Sequence, residues 1–428
     1  MQTYEKYKDS GVEWIGKVPE HWEIRRLKTD TFLKGRIGWN GLRSDEFKES
    51  SYAYLVTGQD FTGPNINWDK CYQIDKVRYD EDPFIQLQNG DILITKDGTI
   101  GKISKVSRMD KPACLNSGIF VMKQRSSHLY EQGYIYWLLT SNLLSEYNQY
   151  TSTGTTILHL YQNVFENMPL LIPTLLEQQA IVSYLDKKCA DIDKVIATQQ
   201  RRIELLQELK QSTITHAVTR GLNPNAKMKD SGVEWIGEVP EHWELIPFKY
   251  ISDIIMGQSP SGDDIKSEGK QLFMQGNADF SSLYPQPSLY CDKCKKFSRV
   301  GDVLMSVRAP VGELNISDRV YGIGRGLCSI KSKEISQRYL WYLLIKSKSD
   351  FSCFTTGSTF DAISIQILKS FISIIPSFSE QQAIATYLDK KCAELDASIS
   401  KAQREIDLLQ EYKQALITEV VTGKRKVC

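Results

Sequence analysis

The hydrophobic residues of two long segments recur at the spacing of a coiled coil. After Glu380 the apolar stripe consists of Leu395, Ile399, Ala402, Ile406, Leu409, Leu416 and Val420. The segment after Glu177 repeats the stripe with Ile192, Ile196, Gln199, Ile203, Leu206 and Ala217. Because a period of about 3.5 residues keeps one helix face against a partner, both segments are predicted to be helices. Gly221 and Gly423 are expected to end them.

Each predicted helix is about 40 residues, or roughly 60 Å, long and needs a partner for its apolar stripe. A stripe of this kind can pack on its own domain, pair between two chains, or pair with the second copy in the same chain. Two copies in one chain favour the intramolecular, antiparallel pair. That arrangement would place the two regions outside the helices at opposite ends of a rod, related by an approximate two-fold axis.

The regions outside the helices show alternating short strands and helices. Residues 91–95, 118–122, 302–306 and 370–375 are predicted strands, and residues 131–147 and 336–350 are amphipathic helical stretches. The fold class predicted is therefore α+β, with two α/β domains joined by two long antiparallel coiled-coil helices in a pseudo-two-fold repeat. The expected domain ranges are 1–176, 177–222, 223–379 and 380–428.

An internal duplication organises the whole chain. DSGVEWIGKVPEHWEI at 9–24 returns as DSGVEWIGEVPEHWEL at 230–245, and EQQAIVSYLDKKCADID at 177–193 returns as EQQAIATYLDKKCAELD at 380–396. The residues between these strings have diverged much further. Drift within a duplicated structural protein would not spare the flanks so selectively, so we infer two copies of one scaffold with different tasks.

Composition and charge place the chain among ordinary globular proteins. Hydrophobic residues make up 41% of the 428 residues and charged residues 25%, and the formal net charge is +1. Lys and Arg number 17 against 16 Asp and Glu in residues 25–170, and 16 against 12 in residues 247–375. Bulk charge therefore neither indicates nor excludes a nucleic-acid partner, because basic groups can cluster on one face.

No apolar stretch typical of a signal peptide or a membrane span is found in the sequence. The nine cysteines have no framework spacing, and most are expected to be buried thiols in a reducing cytoplasm. A cytoplasmic location is therefore predicted.

Polar loops at matched places in the two halves are candidates for binding DNA. Asn, Gln and Arg side chains can read bases, Ser and Thr hydroxyls bind phosphates or base edges, and glycine allows close backbone approach. A single loop of this kind is more often a plain turn, so the prediction rests on recurrence in both halves. The candidate residues are Arg36, Trp39, Asn40, Arg43, Lys96, Thr99, Lys102, Thr153, Thr155, Thr156, Gln258, Ser259, Ser261, Arg308, Arg325, Thr356, Ser358 and Thr359.

The twofold order of these motifs resembles the specificity subunit of Type I restriction–modification systems over essentially the whole chain. No single motif is decisive, and the specificity lies in their repeated order. The carriers are Val18-Pro19 with His21-Trp22-Glu23, Val239-Pro240 with His242-Trp243-Glu244, Gly90-Asp91-Ile92-Leu93, Gly301-Asp302-Val303-Leu304, Thr153-Gly154-Thr155-Thr156, Thr356-Gly357-Ser358-Thr359, and the Glu-Gln-Gln segments that follow Pro173 and Pro376.

The resemblance implies a DNA-binding subunit without catalysis of its own. It implies two target-recognition domains, each docking in the major groove of one half of a split site about one helical turn, ~34 Å, apart. Two methyltransferase subunits would grip the helices and bind S-adenosylmethionine, and they would flip and methylate adenine. Translocase–endonuclease subunits would bind ATP and Mg²⁺. Because the two domains differ in sequence, the site is expected to be asymmetric.

Catalytic motifs are missing from the sequence. It contains no adenine-methyltransferase Asn-Pro-Pro-Tyr motif, no glycine-rich nucleotide fingerprint and no phosphate loop. Cys291 and Cys294 form one CxxC pair, but zinc would need two more ligands. Asp91 with Lys96, or Asp302 with Arg308, is at most half of a nuclease motif.

Two alternatives remain open at this point. The first is a coiled-coil scaffold that binds no DNA, and the second is a stand-alone modification enzyme with an unrecognised active site. A scaffold would give no sequence-specific DNA complex, whereas an enzyme would modify DNA without a partner.

Overall fold

The computed structural model describes residues 3–36, 42–126, 130–151, 160–352 and 362–427. The chain divides into two compact units, the first made of Met1–Gln199 with Arg404–Cys428 and the second of Gln200–Gln403. Each unit therefore combines one globular domain with a stretch of both long helices.

The first half of the chain alternates short strands and helices before one long helix. Its elements are β1 (Tyr7–Asp9), β2 (Lys17–Pro19), β3 (Glu23–Arg26), α1 (Leu27–Asp30), β4 (Thr31–Gly35), β5 (Ala53–Val56), β6 (Phe61–Thr62), β7 (Asn65–Ile66), β8 (Tyr72–Ile74), α2 (Lys76–Asp80), β9 (Ile92–Thr95), β10 (Ile103–Lys105), β11 (Ala113–Leu115), β12 (Ile119–Gln124), α3 (Gln132–Thr140), α4 (Asn142–Thr151), α5 (Gln162–Phe165), β13 (Pro169–Ile172) and α6 (Leu175–Arg220).

The second half repeats this order with fewer elements. They are β14 (Met228–Asp230), β15 (Glu238–Pro240), β16 (Glu244–Pro247), α7 (Phe248–Ile251), β17 (Ser252–Met256), β18 (Leu272–Met274), β19 (Leu289–Tyr290), β20 (Val303–Ser306), β21 (Leu314–Ile316), β22 (Gly322–Ile323), β23 (Leu327–Ser332), α8 (Gln337–Ser352), α9 (Ile365–Ser370), β24 (Ile372–Ile375) and α10 (Phe378–Val421).

The two domains have the same sheet topology. The first contains a four-stranded sheet in the order β10-β9-β12-β4, and the second contains β21-β20-β23-β17. A three-stranded sheet accompanies each, ordered β11-β5-β8 and β22-β18-β19, with the β11–β5 and β22–β18 pairs parallel. The β6–β7 hairpin and α2 have no counterpart among the described elements of the second domain. The sequence duplication is therefore a duplication of fold, and the predicted α+β class is confirmed.

The Glu-Gln-Gln motif joins each domain to the start of its long helix. Gln178 is buried, and its side chain accepts a hydrogen bond from the Glu131 amide at 2.7 Å while donating to the Pro173 carbonyl at 2.8 Å. Gln381 makes the same two bonds, with the Ser336 amide at 2.8 Å and the Pro376 carbonyl at 2.9 Å. Because buried backbone groups need partners, this glutamine fixes the helix against the domain in both copies.

The preceding glutamate of the motif fixes the duplicated histidine. His21 Nε2 donates to the Glu177 carboxylate at 2.9 Å, and His242 Nε2 donates to Glu380 at 2.9 Å. Burial raises the pKa of Glu177, but the hydrogen bond from His21 and its charge outweigh burial, so the pKa lies below its usual value. Both histidines therefore have a structural role at the start of a long helix.

The two long helices lie antiparallel. In the first unit the Lys413 ammonium contacts the Asp193 carboxylate at 2.6 Å, and in the second Lys210 contacts Asp396 at 2.7 Å. These pairs are partly exposed and stabilise little, but they show which residues of the two helices lie opposite each other. The predicted apolar stripe is buried or half-buried along both helices, so the coiled-coil interpretation is confirmed.

A glycine ends each long helix next to one of the duplicated segments 9–24 and 230–245, which we call the tryptophan motifs. Gly221 has φ +77° and Gly423 φ +70°, values that favour glycine at a helix end. A Cβ on Gly423 would lie 2.3 Å from Cδ of Pro19, and one on Gly221 would lie 3.0 Å from Cζ2 of Trp243. The end of α10 thus packs on the first motif of the chain, as expected for an antiparallel return.

One predicted helix is divided in two. Residues 131–147 form α3 and α4, separated at Ser141. Helix α10 binds the groups freed by this break, because Thr418 Oγ1 accepts from the Asn142 amide at 3.1 Å and Gln414 donates to the Thr140 carbonyl at 3.0 Å. In the second domain the corresponding stretch is the single helix α8.

We expect Gln381→Ala to lower the free energy of unfolding by about 1–3 kcal/mol, because the Ser336 amide and the Pro376 carbonyl would lose a buried partner. The neighbouring Gln382 is exposed, and Gln382→Ala should change the free energy by less than about 0.5 kcal/mol. Urea unfolding of the full chain, followed by tryptophan fluorescence, measures both. Equal losses would contradict the role given to Gln381.

Candidate nucleic-acid interface

One loop has the same framework in both domains although its sequence differs. In the first domain, the buried Thr95 hydroxyl at the end of β9 donates to the Thr99 carbonyl at 2.5 Å and accepts from the Lys102 amide at 2.9 Å. Ser306, at the end of β20, does the same with the Pro310 carbonyl at 2.6 Å and the Glu313 amide at 2.9 Å. We call these segments, 95–102 and 306–313, the hydroxyl-anchored loops.

The hydroxyl-anchored loops are tied to two further segments in the same way. The Lys96 amide donates to the Gly118 carbonyl, and the Leu160 amide donates to the Lys96 carbonyl. In the second domain the Val307 amide donates to Gly326, and the Ile363 amide to Val307. In each domain the hydroxyl-anchored loop and the two segments bonded to it therefore form the same backbone arrangement, which we call the platform.

At equivalent positions of this platform the two domains carry side chains of opposite charge. The equivalent hydrogen bonds align Asp97 with Arg308 and Lys102 with Glu313. Lys102 and Arg308 are exposed, whereas Glu313 is paired with Lys348 at 2.7 Å. A shared backbone thus presents different charges in the two domains.

Most of the predicted residues that the structure describes lie at the surface. Arg43, Thr99, Lys102, Gln258, Ser261, Arg308 and Arg325 are exposed. Lys96 is half-buried, with its ammonium 5.1 Å from the centroid of the Phe120 ring. Ser259 is half-buried, and its hydroxyl accepts from the Gln275 side chain at 2.6 Å and from the Arg325 amide at 3.4 Å.

The structure places the predicted residues near one another mainly in the second domain. Segment 258–261, Arg308 and Arg325 come together there, because the Gln258 amide donates to Ile323 and the Val307 amide donates to Gly326. In the first domain, Lys96, Thr99 and Lys102 share one loop.

The structure does not support the prediction that Arg36 contacts DNA. Its side chain is only 2% exposed, and its Nε donates to the Leu115 carbonyl at 3.0 Å. In the second domain the Gln258 amide donates to Ile323, the counterpart of Leu115. Arg36 therefore satisfies a buried carbonyl inside the domain and is not available at the surface. Trp39, Asn40, Thr153, Thr155, Thr156, Thr356, Ser358 and Thr359 lie outside the described residues.

The comparisons with known proteins identify the family. The family model of the Type I restriction modification DNA specificity domain matches residues 41–207 and again residues 240–406. The chain belongs to this family.

The similarity to known specificity subunits extends over the whole length of the chain. The MjaX specificity subunit of Methanocaldococcus jannaschii is 30% identical, with 100% of this chain and 99% of the relative aligned. The MjaVIII specificity subunit of the same organism is 25% identical over 100% and 98% of the two chains. A solved chain of a type I restriction–modification system, at 23% identity, has a TM-score of 0.75 over 95% of this chain and 99% of that one, which shows the shared fold.

The chain is thus the specificity subunit of a Type I restriction–modification system, with two target-recognition domains. By family it is the non-catalytic member of its complex. In the part of the chain that the structure describes, no three His, Cys, Asp or Glu side chains are grouped so that they could hold a metal ion. No described helix is long and apolar enough to cross a bilayer.

The carboxylates considered for a nuclease motif have structural partners. Asp91 contacts the Lys123 ammonium at 2.6 Å and accepts from the Gln88 amide, and burial is the main cause that raises its pKa. Asp302 accepts from the Ser329 hydroxyl at 2.5 Å. Burial, together with a hydrogen bond to Cys291, raises the pKa of the Cys294 thiol to about 12.

Sequence reasoning missed several polar residues next to the hydroxyl-anchored loop of the first domain. A cleft of about 580 Å³ lies there, and its lining includes Gln59, Tyr72, Asn116, Thr99 and Lys102. Gln59, Tyr72 and Asn116 belong to no repeated motif. The signal that was available is the neighbouring glycine at 58 and 118, which recurs at 276 and 326.

We expect Thr95→Val to loosen the hydroxyl-anchored loop of the first domain, because the Thr99 carbonyl and the Lys102 amide would lose a partner. The amide of Lys102 should then exchange its hydrogen clearly faster, and the free energy of unfolding should fall by about 1–3 kcal/mol. The control is Thr99→Val, which makes the same change at an exposed side chain. If both variants exchange equally, Thr95 is not the anchor.

Proposed function

We propose that this specificity subunit reads an asymmetric, bipartite DNA site, one half with each recognition domain. The observation that carries the proposal is the shared loop platform with exchanged side chains. A constant backbone can approach the duplex in the same way in both domains, while the side chains on it contact different bases. Two different half-sites are the expected consequence.

The proposed DNA contacts are the exposed and half-exposed residues of the platform loops. In the first domain these are Arg43, Lys96, Thr99 and Lys102, and in the second Gln258, Ser259, Ser261, Arg308 and Arg325. Arg36 is left out because it is buried. The residues of 39–40, 153–156 and 356–359 stay in the proposal on the sequence argument alone.

The proposed division of the chain assigns residues 1–176 and 223–379 to recognition, and residues 177–222 and 380–428 to the helical spacer. The long helices at Leu175–Arg220 and Phe378–Val421 support these limits to within two residues at each start. Bounds of helices vary by this amount between definitions.

The experiment is selection from random duplex DNA by the full chain in complex with the methyltransferase subunit of its own system. We expect one split site with two different halves, bound at least about a thousandfold more tightly than random DNA at the same salt concentration. A palindromic site would contradict the asymmetric reading. Binding without sequence preference would support a scaffold, and methylation by the chain alone would support an independent enzyme.

Two methyltransferase subunits are the proposed partners of the long helices. Leu205 and Leu209 on α6 are each about half exposed, and so are Leu408 and Tyr412 on α10. These residues occupy equivalent positions, 203 residues apart in the duplicated sequence. Residues four apart lie side by side on a helix, so each unit carries one exposed apolar pair. One such pair per unit supports two copies of one partner.

We expect Leu205→Glu and Leu408→Glu each to reduce the complex from two methyltransferase subunits to one, because a charge would replace an apolar contact. The double variant should bind neither subunit. Leu222→Glu, at an exposed leucine outside both helices, is the control. Native mass spectrometry counts the subunits, and loss of both copies from a single substitution would argue against two independent faces.

The remaining partners supply the chemistry. One solved relative comes from a structural study of complex assembly and conformational transition in a type I restriction–modification system. By analogy, methyltransferase subunits would bring S-adenosylmethionine, and restriction subunits would bring ATP and Mg²⁺. The chain itself would hold none of these, and it would act in the cytoplasm, where the DNA is.

A further inference from the structure

In each domain two further turns lie side by side next to the platform. The Asn116 amide donates to the Val56 carbonyl at 2.9 Å, and the Gly324 amide donates to Met274 at 2.7 Å. The two bonds are equivalent, so Thr57-Gly58-Gln59 corresponds to Gln275-Gly276-Asn277. In the same way Asn116-Ser117-Gly118 corresponds to Gly324-Arg325-Gly326. We call these segments the paired turns.

Glycine occupies equivalent positions in the paired turns of both domains, and in each domain one of these glycines has a close neighbour. A Cβ on Gly58 would lie 2.9 Å from Cγ2 of Thr95, the anchor of the neighbouring loop. One on Gly326 would lie 2.7 Å from the carbonyl oxygen of Gln275. A side chain would therefore be resisted at Gly58 and Gly326, whereas their counterparts Gly276 and Gly118 have no contact closer than 3.8 Å. The residues beside these glycines differ between the two domains.

The differing residues carry groups that distinguish bases. In the first domain, Gln59 is exposed and Asn116 is half-buried, and both line the cleft beside the hydroxyl-anchored loop. At the equivalent positions the second domain has Asn277 and Gly324, and the exposed Arg325 replaces Ser117. A carboxamide pairs bidentately with adenine, and a guanidinium pairs with guanine.

We propose that Gln59 and Asn116 determine the base preference of one half-site, and that Asn277 and Arg325 determine that of the other. This inference rests on the proposed function and adds to it the residues that read the bases. The hydroxyl-anchored loops would then hold the domain on the duplex, with the paired turns facing the base edges. Amide chemistry predicts an adenine contact in the first half-site, and Arg325 predicts a guanine in the second.

The test is DNA selection with the full chain and its methyltransferase subunit, comparing wild type with Gln59→Ala, Asn116→Ala and Arg325→Ala. Each variant should lose preference at one or two positions of a single half-site by about tenfold or more. Gln59→Ala and Asn116→Ala should affect the same half, and Arg325→Ala the other. The spacer and the unaffected half should stay as in the wild type.

Gln88→Ala is the matched control, because Gln88 is an exposed glutamine of the same domain that precedes strand β9 and does not line the cleft beside the hydroxyl-anchored loop. It should select the wild-type site. The conservative Gln59→Asn introduces the residue of the second domain and should keep the fold. Melting curves of all variants identify any that unfold.

Three outcomes overturn the inference while leaving the proposed function intact. They are an unchanged site in Gln59→Ala and Asn116→Ala, a uniform loss of affinity for every sequence, and a change spread over both half-sites. A uniform loss would mean phosphate contact and not base reading. Failure of the wild type to select a split site would instead refute the proposed function itself.

Discussion

The apolar stripe between the two long helices is the interaction on which the rest of the molecule depends. Each helix does more than cover its partner, because its last turns are part of a domain core. Ile214, Ala217 and Val218 of α6 are buried with Trp243, and Leu416, Ile417 and Val420 of α10 are buried with Trp22. Neither recognition domain has a complete core without a helix that begins in the other half of the sequence. This dependence explains why the tryptophan motifs at 9–24 and 230–245 are nearly identical in the two copies.

The same constraint explains where the sequence is free to change. The topology is maintained by backbone hydrogen bonds, by Gln178 and Gln381 at the helix starts, and by Thr95 and Ser306 under the loops. These contacts need an amide or a hydroxyl at a few positions, and they place no demand on the loop tips. Divergence between the copies can therefore concentrate on residues that face solvent without loss of the fold.

Sequence periodicity and the repeated motifs were sufficient to predict the helices, their antiparallel pairing and the duplicated domains, because these features depend on many residues. They failed where a single contact decides the outcome. Arginine is a residue type typical of DNA contacts, but Arg36 is buried and donates to the Leu115 carbonyl. The break at Ser141 depends on Thr418 and Gln414, almost 280 residues away in sequence. Gln59 and Asn116 could not be found from motifs, because what marks them is the glycine beside them and a contact between two distant turns.

The two hydroxyl-anchored loops carry opposite charges on the same backbone, in a chain whose net charge is only +1. This difference affects how such a chain could bind DNA. General attraction to phosphates grows with the number of basic contacts and acts on every sequence alike. A loop with Asp97 where the other domain has Arg308 gains little from such attraction. A carboxylate repels phosphate, whereas a guanidinium attracts it. Under the proposed arrangement, in which these loops hold the domains on the duplex, the two domains would differ in this general attraction. Under the proposed function, such a nearly neutral chain would discriminate between sequences mainly through the base contacts of its paired turns, and it would hold DNA tightly only with its partners.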